Sequence, residues 1–386
     1  YDPLFAVRGL HYDGHTGYLM KLDAYGNVQR DTVHYGRREV EVPLAVPGVD
    51  SGDHIPRGVV KGRMRQLLDL FSIPNACLLA DVIQYFVDRG ISFHPQHLAD
   101  DVRLVSEMLH GGTGIGMGPL HRTILRDLEQ YLEPNPQLTE YLERLSAHDR
   151  RLFLLTNSGF EFVDRGLSYI TGRADWRDLF DVCIVNAAKP EFYRGRRPFQ
   201  RYEEGYTWST VGGFKRGEVY SGGNITDFCN WTGWTGGSVI YIGDSIYSDL
   251  GAIISELSRE IEIQRSYAFR SNIASFVQLE QLLKCTQRSH LEHHREQLLQ
   301  WRKERKETSH VLKKLFNPQF GSVFRTMVNP TMFADKIRAY ADLYTASLEN
   351  LGGYPIDHVF YPERIQLPHE QPFFAEQACG ANDGGV

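Results

Sequence analysis

Three short apolar runs constrain this chain more than any other feature. Arg151–Leu155, Phe180–Val185 and Ser238–Ile242 read as buried strands, and each breaks off into a polar turn. Helical patterns over Phe160–Ile170 and Ser245–Ser258 follow the first and the third. Short apolar strands alternating with helices predict an α/β fold with a parallel sheet covered on both faces. In such sheets, ligands bind in the crevice beyond the carboxyl ends of the strands. The sequence places Thr156-Asn157-Ser158 at the first such end and Gly243-Asp244 at the third. Lys189, in Ala188-Lys189-Pro190, follows the second by a few residues, and Asp249 stands one turn into the helix after Asp244. If the strands are neighbours, these side chains converge on one crevice.

That combination suits phosphate chemistry. Phosphoryl transfer asks a protein for charge neutralisation and positioning more than for covalent help. Lys189 supplies a point cation, while the Thr156 hydroxyl, Asn157 and nearby backbone N–H groups supply hydrogen bonds. Paired carboxylates hold Mg²⁺, a hard cation that takes oxygen ligands and keeps waters. Asp244 is the expected metal ligand, and Asp249 could ligate, bind a coordinated water or orient Lys189. Each element alone has an ordinary explanation. Gly-Asp is common in α/β turns, Thr-Asn-Ser before a helix is an N-cap, and an acid in a first helical turn suits the dipole. The order Thr156, Lys189, Asp244 and Asp249, each behind its own strand, is far more specific than any one of them.

The remainder of the 386 residues divides by composition and period. Residues 1–45 read as a hairpin region belonging to the core, with a strand at Tyr18–Asp23, a turn at Ala24–Asn27 and a return at Val28. Residues 46 to about 62 are rich in Pro, Gly and Asp and mark a boundary. Apolar residues at three-to-four spacing, beginning with Met64, Leu67, Leu68 and Leu70-Phe71, predict helices from about 63 to 110 and again over His121–Leu145. With residues 46–150 taken as a helical cap and its return, 151–270 form the Rossmann-like core, residues 191–237 within it reading as a long excursion of weak period. Residues 271–370 are a C-terminal helical region and 371–386 a loose tail. That helical region contains one long charged stretch over 272–315 and an amphipathic helix over 335–350.

Other features point away from competing functions. A net charge of −6 gives no footprint for a nucleic-acid backbone. No run of about 18 apolar residues exists to span a membrane. The five cysteines are scattered, with no C-x-x-C pair, which suits free thiols over zinc or a disulfide framework. The run Gly111–Gly118 follows helical sequence and reads as a connection, not a dinucleotide loop. His290, His293 and His294 lack the order of a zinc helix and read as a solvated face.

Agreement with a known family extends far from the strand ends. Phe5-Ala-Val-Arg-Gly-Leu10, Lys21-Leu-Asp-Ala-Tyr-Gly-Asn27, Leu155-Thr-Asn-Ser158, Ala188-Lys-Pro190, Tyr241-Ile-Gly-Asp244, Phe320-Gly-Ser-Val-Phe-Arg325, Tyr340-Ala-Asp-Leu-Tyr344 and Leu367-Pro-His-Glu370 carry it. With these the chain resembles, nearly end to end, the 5′-nucleotidase domain-containing proteins, relatives of cytosolic purine 5′-nucleotidase in the haloacid-dehalogenase superfamily. The resemblance implies a haloacid-dehalogenase-like Rossmannoid sheet with a helical cap and C-terminal helices. It further implies Mg²⁺ dependence and hydrolysis of nucleoside 5′-monophosphates through an aspartyl-phosphate. In that scheme Thr156 and Lys189 grip the phosphoryl group, Asp244 holds the metal and Asp249 supports its shell. An Arg, an Asp and a His on one cap helix, then a Lys, help the purine enzymes recognise the base. Here Arg103, Glu107 and His110 keep the spacing on one helix face, with Glu in place of Asp and the Lys position falling at Gly116. The same three residues also fit a surface ion pair followed by a helix-end histidine.

The family's Asp-x-Asp nucleophile motif is not among these residues. Its register lies upstream of Tyr1, so the chain is expected to be an N-terminally truncated piece that does not turn over by itself. Three functions fit: a Mg²⁺-dependent 5′-nucleotidase-type phosphohydrolase, a catalytically silent member acting as a binding or regulatory module, and a phosphatase for a non-nucleotide phosphoester. The expected partner is a small nucleotide or phosphoester, with neither nucleic acid nor membrane, and the C-terminal helices offer a route to a homo-oligomer. A cytoplasmic location is expected, or a mitochondrial one if an upstream segment carries a transit peptide.

Overall fold

The computed structural model describes residues 1–40, 54–111, 117–203, 207–243, 254–288, 295–343, 345 and 347–360. It is a mixed α/β structure with two five-stranded sheets. Residues 1–353 form one compact unit and 354–386 another.

The first sheet comprises β1 (Leu10–Asp13), β2 (Tyr18–Lys21), β3 (His34–Tyr35), β4 (Arg38–Glu39) and β5 (Met64–Leu67), in the order β4-β3-β2-β1-β5. The expected hairpin turn is present. Asp23 Oδ1 accepts the N–H groups of Tyr25 (2.9 Å) and Asn27 (2.8 Å), and Leu22 bridges Val28. The sequence reading fails at Met64–Leu67, which is a strand and not the start of a helix. It runs antiparallel to β1, with Leu10 opposite Leu67 and Asp13 opposite Met64. Met64, Leu67 and Leu68 are all buried. A short strand burying both its ends shows the same i, i+3 spacing as a helix face.

Helix α1 (Arg57–Arg63) leads into β5. Helices α2 (Ser72–Asp88) and α3 (Pro95–His110) follow it and pack Ala76, Cys77, Leu79, Ile83, Leu98 and Val102 against Leu10, Tyr12 and Leu19 of the sheet. Pro95 at the first helical position opens α3, and Gly111 closes it at φ +97°. Helices α4 (Pro119–Arg126), α5 (Leu128–Tyr131) and α6 (Pro136–Ala147) lead to the second sheet. Gly112–Gly116 of the glycine run lie outside the described residues.

The second sheet holds β6 (Phe153–Leu155), β7 (Val182–Val185), β8 (Phe199–Glu203), β9 (Thr207–Thr210) and β10 (Val219–Gly222), in the order β6-β7-β10-β8-β9. The first three are parallel, and β8 and β9 are antiparallel additions. Helix α7 (Phe160–Thr171) connects β6 to β7, and α8 (Ile225–Thr232) follows β10. The third parallel strand is therefore Val219–Gly222, inside the stretch read as an excursion. Its four residues are all buried, but Val-Tyr-Ser-Gly lacks the apolar run that marks Val182–Val185. The expected strand at Ser238–Ile242 is not formed: Gly236–Ser238 is a 3-10 turn and 239–243 have no regular structure. Ile240 is 83% exposed. An apolar run becomes a strand only where a neighbour pairs with it, and none of the described strands does so here.

The expected helix over 245–258 is described only from Ile254, as α9 (Ile254–Arg265). The long charged stretch is two helices, α10 (Tyr267–Arg288) and α11 (Arg295–Phe316), and the three histidines between them fall outside the described residues. Helix α12 (Met332–Tyr340), capped by the Thr331 hydroxyl on Ala334 N (3.1 Å), ends ten residues before the expected 350. Residues 320–332 return to the first sheet. The buried Lys21 donates to the carbonyls of Phe320 (2.5 Å) and Ser322 (2.7 Å), Met332 N donates to Leu22 O (3.0 Å), and Glu260 accepts from Ser322 and Val323. In the second unit, the described rings of Tyr354, His358 and Phe360 pack on one another. Among the described residues no helix is long and apolar enough to cross a membrane.

Candidate functional site

The loops after β6 and β7 lie side by side because the parallel ladder continues past the strand ends. Thr156 N donates to Ile184 O, Ala187 N to Thr156 O and Asn186 N to Ser158 O, each at 3.0 Å. The β7 loop then turns sharply. Asn186 (φ +48°) and Ala188 (φ +58°) both adopt left-handed backbone, which returns Lys189 toward β6. Asn tolerates that region, but in Ala it costs roughly 1–2 kcal/mol. Replacing Ala188 by Gly is expected to raise stability by about 0.5–1 kcal/mol after the entropy of the unfolded Gly is counted. Urea unfolding checks this, and a destabilised Gly variant would contradict it.

Asn157 holds Lys189 in that returned position. Its Oδ1 accepts Lys189 N at 2.6 Å, and its Nδ2 donates to Lys189 O at 3.1 Å. That two-point clamp makes Asn157 a positioning group. The Lys189 ammonium reaches back to the end of β6, donating to Leu155 O at 3.1 Å and Tyr241 OH at 3.0 Å. Only 8% of Lys189 is exposed, so its charge sits in a largely desolvated position at the strand edge, where electrostatic interactions are strong. Thr156 Oγ1 accepts Ser158 N at 3.1 Å, which orients its own O–H as a donor. Helix α7 begins just after, at Phe160, with the positive end of its dipole at this loop.

The structure thus brings Thr156, Asn157 and Lys189 together. Asp244 and Asp249 lie outside the described residues, but Gly243 is the residue before Asp244 and Tyr241, two before that, touches Lys189. Among the described residues no group of three or more His, Cys, Asp or Glu side chains could hold a metal ion.

The three cap-helix candidates divide. Arg103 and Glu107 bond to each other at 2.6 Å on an exposed face. His110 turns elsewhere. Its Nδ1 lies 2.7 Å from Ser106 O, so Nδ1 carries the proton and Nε2 is left as an acceptor in the neutral ring. Its ring meets Phe71 edge-on at 5.3 Å and His121 at 5.8 Å, and His121 stacks on Phe162 of α7 at 4.1 Å. Burial, and then the neighbouring His110, push the His121 imidazole below its usual range. Sequence reasoning misses His121 because Gly111–Gly118 interrupts the helical spacing that would tie it to His110. The position carried to Gly116 lies outside the described residues.

A cation held beside a hydroxyl at adjacent parallel-strand ends, next to a helix N-terminus, gives this α/β protein a positively polarised strand edge. The chain belongs to the 5′-nucleotidase family, whose model matches residues 1–372. It is 39% identical to 5′-nucleotidase domain-containing protein 2 of Rattus norvegicus, over 98% of this chain and 71% of that protein. To the Homo sapiens protein of the same name it is 38% identical, over 98% and 76%. A 5′-nucleotidase domain-containing protein of Dictyostelium discoideum is 37% identical, over 96% and 65%.

Proposed function

We propose that this chain supplies the phosphate grip of a Mg²⁺-dependent, 5′-nucleotidase-type phosphohydrolase acting on nucleoside monophosphates, on a haloacid-dehalogenase-like Rossmannoid core with a helical cap. The observation that carries the reading is Lys189, clamped by Asn157 so that its ammonium stands at the end of β6 beside Thr156. There it would neutralise a phosphoryl oxygen while the Thr156 O–H and the first N–H groups of α7 donate to others. The oxygen donors of Asp244 and Asp249 suit Mg²⁺. When bound, the ion would neutralise phosphoryl charge as a Lewis acid. The ring series Phe71, His110 and His121 would face the nucleoside.

The nucleophilic Asp-x-Asp is proposed to come from outside these 386 residues. Among the described strands β6 stands at the edge of its sheet, so a further parallel strand pairing along it would bring its own carboxyl end beside Thr156 and Lys189. The proposed location is the cytoplasm. The silent-module reading is favoured by one observation: Arg103 and Glu107 satisfy each other and not a base.

Two measurements decide. Calorimetric titration of the 386-residue chain with adenosine 5′-monophosphate is expected to show binding that Lys189→Met weakens about 10- to 100-fold, the loss of one charge-assisted contact. Unchanged affinity in that variant would remove the phosphate grip. The chain alone is expected to release no phosphate, and Mg²⁺-dependent release abolished by Asp244→Asn would overturn the external nucleophile. Extended upstream to include an Asp-x-Asp, the folded protein should release phosphate from nucleoside monophosphates. If it releases none across a nucleotide panel, the silent module is the better reading.

A further inference from the structure

Arg194, Arg196 and Arg197 follow the Lys189 loop and are all exposed. Arginines elsewhere in the fold are commonly paired: Arg37 with Asp81, Arg63 with Asp13, Arg151 with Asp181, Arg201 with Glu203 and Glu218. Among the described residues, none of these three guanidinium groups has a carboxylate or hydrogen-bond acceptor. One exposed arginine is ordinary solvated surface. Three in a four-residue run outweigh the neighbouring carboxylate, Glu191, whose Oε1 lies against Gly195, and concentrate positive potential at one place.

That place is the carboxyl edge of the parallel strands. At one end of the run, Tyr193 meets Tyr241 edge-on at 6.5 Å, and Tyr241 OH is the group 3.0 Å from Lys189 Nζ. At the other end, Arg197 lies across Gly222, the last residue of β10. A Cβ on Gly222 would fall 2.8 Å from Arg197 Nε, which places the guanidinium over this residue, and its φ of +73° is the backbone conformation that favours glycine. Asn224, the N-cap of α8, donates from Nδ2 to Arg197 O at 3.0 Å and to Asp227 Oδ2 at 2.7 Å. The same residue thus fixes the arginine run and holds the nearby acid. The run extends as an arc from the Lys189 loop to the end of β10, with Arg197 anchored through its carbonyl and the three arginine side chains exposed, while Lys189 itself is buried.

We propose that this arc binds a second phosphate group of the substrate, so that the substrate class is a doubly phosphorylated small molecule such as a nucleoside bisphosphate. The proposal rests on the reading that Thr156 and Lys189 hold the first phosphate. Arginine is the side chain whose planar fork matches phosphate oxygens in pairs. The arc continues from the first grip along the same edge, as one ligand carrying two phosphates requires.

The test compares two probes, adenosine 5′-monophosphate and adenosine 3′,5′-bisphosphate, by calorimetric titration of the 386-residue chain. The bisphosphate is expected to bind about tenfold more tightly or better, with the preference shrinking as salt rises from about 0.05 to about 0.2 M. In the triple variant Arg194→Gln, Arg196→Gln, Arg197→Gln the preference should fall to about one while monophosphate affinity and the unfolding midpoint stay unchanged. A preference near one in the unsubstituted chain, a preference that survives the triple substitution, or no binding of either probe would overturn the arc. Lys189→Met separates the two ideas. If it leaves monophosphate binding intact while the triple variant still abolishes the bisphosphate preference, the phosphate grip fails and the arginine arc stands.

Discussion

Asp13→Ala is expected to lower the unfolding free energy by about 3–5 kcal/mol, the usual cost of leaving one partner of a buried ion pair uncompensated. The Asp13 side chain is fully buried and that of Arg63 is 9% exposed. They meet through two parallel contacts, Nε to Oδ1 at 2.6 Å and a terminal nitrogen to Oδ2 at 2.5 Å. Thr16 Oγ1 (2.6 Å) and His15 N (3.1 Å) complete the carboxylate's shell. Burial pushes the Asp13 carboxyl upward, but the hydrogen bonds from Arg63, Thr16 and His15 outweigh it and leave the group below its usual range. Removing Asp13 strands the Arg63 guanidinium and loosens the β1–β2 turn together. The paired variant Asp13→Leu, Arg63→Leu is expected to lose less than either single change, because no charge is left behind. Urea unfolding of Asp13→Ala, Arg63→Leu and the paired variant measures this. A single-variant loss under about 1 kcal/mol would mean the pair is solvated in solution.

The second large effect is acid instability centred on His11. Its side chain is fully buried on β1, among the described residues neither ring nitrogen has a partner at hydrogen-bond geometry, the Gly9 backbone gives only a weak opposing contact, and Gln66 stands opposite it on β5. Lys336 bonds to Gln66 and adds positive potential. Burial and that cation push the imidazole down to about 3. The folded pKa is therefore below the unfolded value of about 6.5. The unfolded chain binds a proton that the folded chain refuses, so this contribution is complete above pH ~6.5 and is lost as pH falls toward ~3. By pH ~5 the loss should be about 2 kcal/mol. His11→Leu removes the linkage and the unpartnered nitrogens together. Between pH ~7 and ~5 the unsubstituted protein should lose about 2 kcal/mol more than this variant does. Parallel pH profiles for the two proteins would show that His11 is not the linked group.

What could be read from the sequence was local, and what could not depended on neighbours. Phe153–Leu155, Phe160–Thr171 and Val182–Val185 lie where apolar runs and helical period put them, because each run is long enough to declare its period or flanked by clear turns. The pairing of Thr156 with Lys189 came from adjacency of parallel strands. Met64–Leu67 misled because burial at both ends of a strand mimics a helix face. Val219–Gly222 was invisible because Val-Tyr-Ser-Gly, though wholly buried, is not an apolar run. Ser238–Ile242 has the composition of a strand, but composition does not supply a pairing partner. The clamp role of Asn157 and the stacking of His121 on Phe162 are set by side-chain orientation, which spacing does not encode.

Lys21 has a consequence for how this protein is made. Its ammonium is buried and satisfied by the carbonyls of Phe320 and Ser322, groups that leave the ribosome some three hundred residues after it. Until they arrive, the nascent first sheet can bury Lys21 only by stripping its hydrating water without protein acceptors to replace it, and Leu22 waits for Met332 to close the layer. The amino-terminal sheet therefore cannot mature until residues 320–332 have been made. A ribosome-stalled chain ending before residue 320 should remain protease-sensitive over residues 10–40.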